Sequence, residues 1–169
     1  VVAHIRMPDR VGPNGEKVLH VEEVQSDWGQ QGREYGFKHS PEELERLLAE
    51  RAKLRNEVDS ASRTPEQHAR IRALDDAITK ADGPPPGPYV DNTQKWTDLA
   101  LKRVLHEAAH GGYDKIVVTP GEEQAKRYPE NDEEAKAARE HGMKGYYDNI
   151  LPKRLQALAQ QHDPQAKVR

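Results

Sequence analysis

The sequence predicts an α/β or α+β fold: a mixed sheet with an N-terminal β-hairpin, flanking helices and an inserted helical hairpin. Two strand-like runs joined by Asn14-Gly15 indicate the β-hairpin, because these residues favour tight turns between strands. Helix-start signals at Ser40 and Thr64 indicate the helical hairpin. A helical pattern that ends at a double glycine and precedes the β-branched run 115–119 indicates a crossover onto the sheet.

Composition bounds the number of domains and the function class. The chain has 169 residues, which suffices for one domain over 1–169, and its start at Val1 within a strand pattern suggests a piece of a longer protein. The net charge of −3 does not indicate a nucleic-acid surface, and no apolar run is long enough to span a membrane. The absence of cysteine excludes disulfides and fits a cytoplasmic protein.

The β-hairpin places polar side chains on one face of the sheet. With its turn at the Asn-Gly pair, His4 lies opposite Gln25 and Arg6 lies opposite Glu23. Cross-strand partners point the same way, so all four side chains share a face. We interpret this face as one wall of a pocket with a carboxylate that takes a proton, Glu23, as its centre. A solvated sheet face with an ordinary ion pair is the alternative.

The middle of the chain predicts two helices and a stiff connector. Ser40 and Thr64 each begin a Ser/Thr-Pro-Glu sequence, and apolar residues at helical spacing follow both. We expect a helical hairpin over 40–82, packed through its leucine stripe, with the Pro/Gly-rich connector 83–92 after it. The hairpin is also a candidate docking surface for a protein partner.

The second half of the chain predicts a helix, a strand and further helices. Asn92 or Thr93 caps an amphipathic helix, and the run 115–119 has the pattern of a buried strand. Helices are expected to begin within 121–128 and 131–141. A last helix is predicted to pack through Tyr146, Ile150, Leu151, Leu155 and Leu158.

A polar run at the end of the second strand extends the candidate pocket. Gln25 is followed by Ser26, Asp27 and Trp28, and loops at strand ends commonly carry binding residues. We therefore include all four in the candidate ligand-binding set. Trp28 is a candidate pocket wall, whereas core packing is the more common role of a tryptophan such as Trp96, which we retain as a further binding candidate.

Glycines and tyrosines supply the other candidates. The stretch 29–37 contains Gly32 and Gly36 and favours a loop whose backbone amides hold a phosphate, although it lacks the Walker lysine. Tyr128 and Tyr147 are candidates for a phenolic acid or a ligand contact, with helix packing as the alternative.

The sequence does not predict a metal ligand set. Asp9 followed by Glu-Val-Gln at 23–25 has the acid-then-E-x-Q pattern of some metal-dependent nucleases. The hairpin register places Asp9 opposite His20, on the other face from the glutamate, so one ion would not join them. His106 and His110 are four residues apart on a helix, but no acid lies between them as in known zinc motifs.

Five ordered motifs resemble a domain found in very long phage and prophage proteins, the large polyvalent proteins. They are HIRMPDR, VLHVEEVQSDWGQQG, TQKWTDLALKR, GEEQAKRY and GMKGYYDNILP. The resemblance covers most of the chain outside 38–82 and implies a phage or prophage origin and a bacterial host cytoplasm. The chain departs from the family in its charged helical hairpin and in a short segment between Tyr128 and Gly142.

A second resemblance is to the acetyl-CoA-dependent N-acetyltransferase fold. It implies that Glu23 deprotonates the acceptor amine, that amides near Gly32 and Gly36 hold the pyrophosphate of acetyl-CoA, and that Tyr128 protonates the leaving thiolate. The segments that follow the order of that fold are 1–8, 17–25, 29–36, 94–110, 115–119 and 122–128.

Three functions follow from these observations. The first is an enzymatic phage-associated domain that catalyses acyl transfer, with His4, Arg6, Glu23 and Tyr128 as catalytic candidates. The second is a non-catalytic module that binds a ligand or a protein. The third is a metal-dependent nuclease.

Overall fold

The computed structural model describes residues 1–79, 83–129 and 131–167. The chain divides into two compact units. The first unit comprises Val1–Ser26 and Asn92–Arg169, and the second comprises Asp27–Asp91. The second unit thus begins well before residue 40, where the sequence predicts the start of the insertion. Among the described residues, no helix combines the length and the apolar character needed to cross a membrane.

Four strands come first, followed by a run of helices, one further strand and a last run of helices, which fits the predicted α/β or α+β class. The strands are β1 (His4–Arg6), β2 (Asp9–Val11), β3 (Lys17–Val21), β4 (Glu23–Gln25) and β5 (Lys115–Val118). The helices are α1 (Asp27–Tyr35), α2 (Pro41–Glu57), α3 (Pro65–Thr79), α4 (Thr93–His110), α5 (Gly121–Lys126), α6 (Glu133–Lys144) and α7 (Leu151–Ala159). A 3₁₀ turn at Ser60–Ser62 joins α2 to α3, and a π-helix at Gly145–Ile150 joins α6 to α7.

The sheets of the first unit combine antiparallel and parallel pairs, which confirms the predicted mixed sheet. Strand β1 pairs with β4, and a second sheet has the order β2-β3-β5. Strands β2 and β3 are antiparallel, whereas β3 and β5 are parallel. Strand β5 lies at an edge, and its Val117 is 42% exposed. The prediction of a buried strand at 115–119 is therefore wrong for β5, because only Ile116 and Val118 pack against the core while Lys115 and Val117 are exposed.

The hairpin tip is a three-residue loop and not the predicted two-residue turn. Gly12 N donates to Glu16 O at 2.8 Å, and these two residues enclose Pro13, Asn14 and Gly15. Gly15 adopts a φ of +83°, which glycine reaches without a steric penalty. Gly15 N also donates to Gly12 O at 3.0 Å, so a hydrogen-bonded turn precedes the left-handed residue, as is common in three-residue hairpin loops.

A β-bulge lies between the two halves of the hairpin. Asp9 pairs with Leu19, and not with His20 as the predicted register required. The next pair is Arg6 with Glu23. Between the two pairs, the three residues from His20 to Glu22 lie opposite only two residues, Met7 and Pro8. His20 N still donates to Pro8 O at 3.1 Å, so the strands stay together across the extra residue.

The bulge restores the register that the sequence predicts at the open end of the hairpin. His4 pairs with Gln25, and Arg6 pairs with Glu23. Both predicted pairs are confirmed. The longer turn moves the register by one residue in one direction, and the extra residue of the bulge moves it back, so the polar pairs of the candidate site are unaffected.

One hydrophobic core joins the sheets of the first unit to α4, the π-helix and α7. Its buried members are Leu19, Val21, Val24, Trp96, Ala100, Leu101, Val104, Tyr147, Leu151, Leu155 and Leu158. Ile150 is 39% exposed, so its predicted place in the core is wrong. The π-helix is the reason: its wider turn changes the angular position of the residues, and Tyr147 is buried on the core side.

The second unit contains the helical hairpin, which confirms that element of the fold. Ser40 caps α2 by accepting a hydrogen bond from Glu43 N at 3.1 Å. Thr64 accepts from Gln67 N at 3.2 Å, while the Gln67 side chain accepts from Thr64 N, which is a capping box. The last predicted hairpin residues, 80–82, lie outside the described residues.

The leucine stripe of the helical hairpin packs α2 against α3. Leu47, Ile71 and Leu74 are buried. Ion pairs flank them across the two helices, with Arg55 Nη2 2.8 Å from Asp75 Oδ2. Because Leu47 and Leu74 are internal, a charge at either position would disrupt the hairpin itself and would not report on a docking surface.

Leu74→Ala should destabilise the helical hairpin, because it leaves a cavity at a position that is only 2% exposed. We expect a loss of about 2–5 kcal/mol. Hydrogen exchange of the α2 and α3 amides measures it, since exchange reports local stability separately for each unit. The matched control is Leu48→Ala on the exposed side of α2, which should change stability by less than about 0.5 kcal/mol. Equal effects of the two variants would contradict the internal packing.

Candidate functional site

Glu23 on β4 is the centre of the candidate site. Its side chain is only 10% exposed. Arg6 Nη2, across the strand pair, lies 3.0 Å from Glu23 Oε2. The hydroxyl of Tyr128, two residues after α5, donates a hydrogen bond to Glu23 Oε1. A buried carboxylate is costly unless it is paired, and here a cation and a hydroxyl hold its two oxygens. The structure thus brings three of the four catalytic candidates together.

Tyr128 acts on Glu23 and is poorly suited to the acid role that the N-acetyltransferase resemblance implies. Its hydrogen bond to the Glu23 carboxylate, with some burial, raises the pKa of the Tyr128 phenol. A raised pKa makes the phenol a weaker acid at neutral pH. Arg139 on α6 donates to Tyr128 O at 3.3 Å, and its guanidinium lies 6.0 Å from the ring centre. Tyr128 therefore positions the Glu23 carboxylate, and Arg139 in turn holds Tyr128.

Tyr147 fixes the strand that carries Glu23. Its hydroxyl accepts a hydrogen bond from Val24 N at 3.0 Å and donates one to Val24 O at 3.1 Å. Burial raises the pKa of the Tyr147 phenol to about 12. A side chain that is 5% exposed and bound at both polar groups of Val24 has a structural role, so the structure does not support Tyr147 as a ligand-binding residue.

Ser26 also has a structural role. It is fully buried, and its hydroxyl donates to Val2 O, which ties the end of β4 to the start of the chain. The prediction that Ser26 contacts a ligand is therefore not supported. His4 and Gln25 form the last strand pair before it, with His4 exposed and Gln25 half-buried. The structure places His4 and Gln25 on the face of Arg6 and Glu23, as predicted.

Three further ligand-binding candidates lie in α1, which belongs to the second unit: Asp27, Trp28 and Gly32. Asp27 opens this helix, and Trp28 Nε1 donates to Pro85 O at 2.7 Å. Gly32 is the sixth helical residue, where a backbone N–H is bonded to the preceding turn. A side chain at Gly32 would collide with the Phe37 ring. The predicted phosphate loop is thus a helix.

Gly36 and Trp96 also have packing roles. Gly36 has a φ of +79° directly after α1, the conformation in which glycine commonly ends a helix. Trp96 is 5% exposed and lies in the core, where its ring centre is 5.7 Å from that of Tyr146. These packing roles do not support Gly36 and Trp96 as ligand-binding residues.

Two contributors to the site were missed by the sequence analysis. Gln124 on α5 is 1% exposed, and its side-chain amide donates to Glu22 O beside the bulge. Arg139 supports Tyr128 from α6. Gln124 lies four residues before Tyr128 in the motif GEEQAKRY, so helical spacing could have linked the two. Arg139 lies in a helix with no buried residue and carries no such signal.

Asp9 and the histidines do not form a cluster with Glu23. Asp9 accepts a hydrogen bond from the Tyr113 hydroxyl. His106 and His110 stack on α4 with their ring centres 4.0 Å apart. Among the described residues, no three His, Cys, Asp or Glu side chains are grouped so that they could hold a metal ion.

The stability that Tyr147 provides should be lost at alkaline pH. Its pKa is raised from an ordinary value of 10 to about 12, so its contribution is complete below pH 10 and falls as the pH rises through about 12. Tyr147→Phe lacks this ionisation and leaves Val24 without its partners. It should be less stable than wild type by about 1–3 kcal/mol at neutral pH. The difference should shrink above pH 10.

Urea unfolding from about pH 7 to about pH 12 measures both effects. Tyr89→Phe is the control, since Tyr89 is 49% exposed and its loss should leave the curve unchanged. A constant difference between wild type and Tyr147→Phe across the whole pH range would contradict the assignment.

Similarity to other proteins does not identify the site. Comparison of the chain with protein-family models finds no match. Comparisons with curated protein sequences and with solved structures likewise find no match. The function must therefore be argued from the geometry around Glu23.

Proposed function

We propose that the first unit is an enzymatic domain of a large phage or prophage protein, and that it transfers an acyl group to an amine or hydroxyl with Glu23 as the general base. The observation that carries the proposal is the arrangement of Glu23 itself. Its carboxylate is buried, while the two groups that hold it, Arg6 and Tyr128, are 62% and 37% exposed. The proposal requires that a substrate reaches the carboxylate between these two surface groups.

The geometry leaves Glu23 able to accept a proton. Each carboxylate oxygen has two lone pairs, so Oε1 and Oε2 keep acceptor capacity after they bind Tyr128 and Arg6. A nucleophile hydrogen-bonded to Glu23 would transfer its proton to the carboxylate as it forms a bond to the acyl carbon. The bond to the leaving group then breaks with its electron pair, and the proton on Glu23 neutralises that group, directly or through water.

The described residues do not support the acetyl-CoA site that the resemblance assigns. The N-acetyltransferase resemblance assigns its pyrophosphate to amides near Gly32 and Gly36. The amide of Gly32 lies inside α1, and the Phe37 ring occupies the space beside this glycine. Gly32 therefore does not fit a pyrophosphate, so the donor is proposed only as an activated acyl compound.

An acyl-transfer assay tests Glu23. The full chain is given acetyl-CoA or 4-nitrophenyl acetate as the donor and a panel of amines and alcohols as acceptors. Glu23→Gln keeps the size of the side chain and an oxygen for Tyr128 but removes the basic carboxylate. We expect its kcat to fall by about 10²–10⁴-fold, as for the loss of a general base.

The matched control is Glu16→Gln. Glu16 lies at the tip of the same hairpin and pairs with a cation, with Lys115 Nζ 2.6 Å from its Oε1. Its substitution should leave kcat within about twofold of wild type. Equal losses in the two variants, or no transfer with any donor and acceptor pair, would contradict the proposal. The second result would favour the non-catalytic binding module.

A further inference from the structure

A cleft of about 440 Å³ lies at the carboxyl ends of the parallel strands β3 and β5, where α5 begins. None of Arg6, Glu23 and Tyr128 lines it. In open sheets with parallel strands, ligands bind preferentially outside these strand ends, and the volume is within the range of small-molecule sites. The cleft is thus a candidate binding site separate from the proposed base.

Thr119 and His20 provide polar groups at the base of the cleft. His20 Nε2 lies 2.9 Å from Thr119 Oγ1, and Thr119 itself is 5% exposed. If the imidazole donates to Thr119 Oγ1, the Thr119 hydroxyl is free to donate to a ligand. This donor chain requires the tautomer or the charged form of His20 that carries a proton on Nε2.

Arg127 supplies the unbalanced charge of the cleft. Two other charged residues line it, Glu123 and Lys126, and Lys126 Nζ lies 2.7 Å from Glu123 Oε1 and 3.1 Å from Glu122 Oε1. Among the described residues, the side chain of Arg127 makes one hydrogen bond, a long one of 3.5 Å to Glu22 O, and no ion pair. A guanidinium has five donors in a planar fork that matches a carboxylate or a phosphate.

The remaining wall of the cleft is apolar. Val117 is 42% exposed, Pro120 is exposed and Val118 is half-buried, and all three line the cleft. An exposed β-branched residue beside an arginine and a threonine can cover the hydrocarbon part of a ligand whose charged end lies on the polar groups.

We propose that this cleft binds a small organic anion. The carboxylate or phosphate group of the ligand lies between Arg127 and Thr119, and its hydrocarbon part lies on Val117 and Pro120. The proposal does not depend on Glu23 as a base, since none of these groups contacts that carboxylate in the described structure.

Nuclear magnetic resonance titration of the full chain tests the proposal. The probes are hexanoate, butyl phosphate, inorganic phosphate and hexanol, which separate the carboxylate, the phosphate and the hydrocarbon contributions. We expect one of the two amphiphilic anions to bind more tightly than inorganic phosphate and hexanol, and to shift the amides of 117–127 most. The better of the two identifies the headgroup.

Matched variants separate a built site from general attraction to a cation. Arg127→Gln should weaken the better anion by about tenfold or more, the effect of losing a charged hydrogen-bond donor. Arg103→Gln removes the same charge from an exposed position on α4 and should weaken it by less than about twofold. Thr119→Val, of nearly equal shape, should also weaken binding.

The opposite pattern would overturn the proposal. If inorganic phosphate and the amphiphilic anions bind with equal affinity, or if Arg103→Gln weakens binding as much as Arg127→Gln, the cleft has no specific role. Glu23→Gln should not weaken anion binding. A variant that binds anions normally but lacks transferase activity would show that the two sites act separately.

Discussion

The double hydrogen bond between the Tyr147 hydroxyl and the backbone of Val24 is the contact on which the rest of the first unit depends. Strand β4 has only three residues and pairs with β1 alone. A strand this short would leave buried N–H and C=O groups without partners, at a cost that few other contacts could offset. One phenol binds both groups of Val24. It thereby holds Glu23 in position and joins the helical C-terminal segment to the sheet.

The π-helix explains why a tyrosine can do this. Helices α6 and α7 are continuous with it on either side, and its wider turn lets Tyr147 point into the core. Tyr146, the preceding residue, lies within hydrogen-bond distance of Thr97 on α4, at 3.0 Å between the two hydroxyl oxygens. Irregular turns of this kind are frequent at functional sites, because they direct neighbouring side chains to different targets. Here one target is the backbone of Val24, next to Glu23, and the other is Thr97 on α4.

The sequence predicts the polar pairs of the site correctly, because alternation places His4 and Arg6 on one face of their strand, and because the longer turn and the bulge shift the register in opposite directions. Periodicity could not link Tyr128 to Glu23 across more than a hundred residues, and only the N-acetyltransferase resemblance names both, with an acid role for Tyr128 that its hydrogen bond to the carboxylate does not support. For the glycine-rich stretch 29–37 the sequence predicts a loop, because glycine weakens isolated helices. Packing reversed that preference, as Phe37 requires a residue without a side chain at Gly32. The local sequence pattern therefore predicts which side chains share a face of a strand. Contacts between distant segments determine which residues bond to them.

The β-bulge makes the two ends of the hairpin unequal in their tolerance of insertions and deletions. A length change between Gly12 and Glu16 leaves every strand pair in place, because the residues that flank the loop still meet. Removal of one residue between His20 and Glu22 would instead slide β4 along β1, and each side chain on β4 would move to the opposite face. Over evolutionary time, the tip of this hairpin is free to vary in length, whereas the bulge must be inherited unchanged for Glu23 to face Arg6.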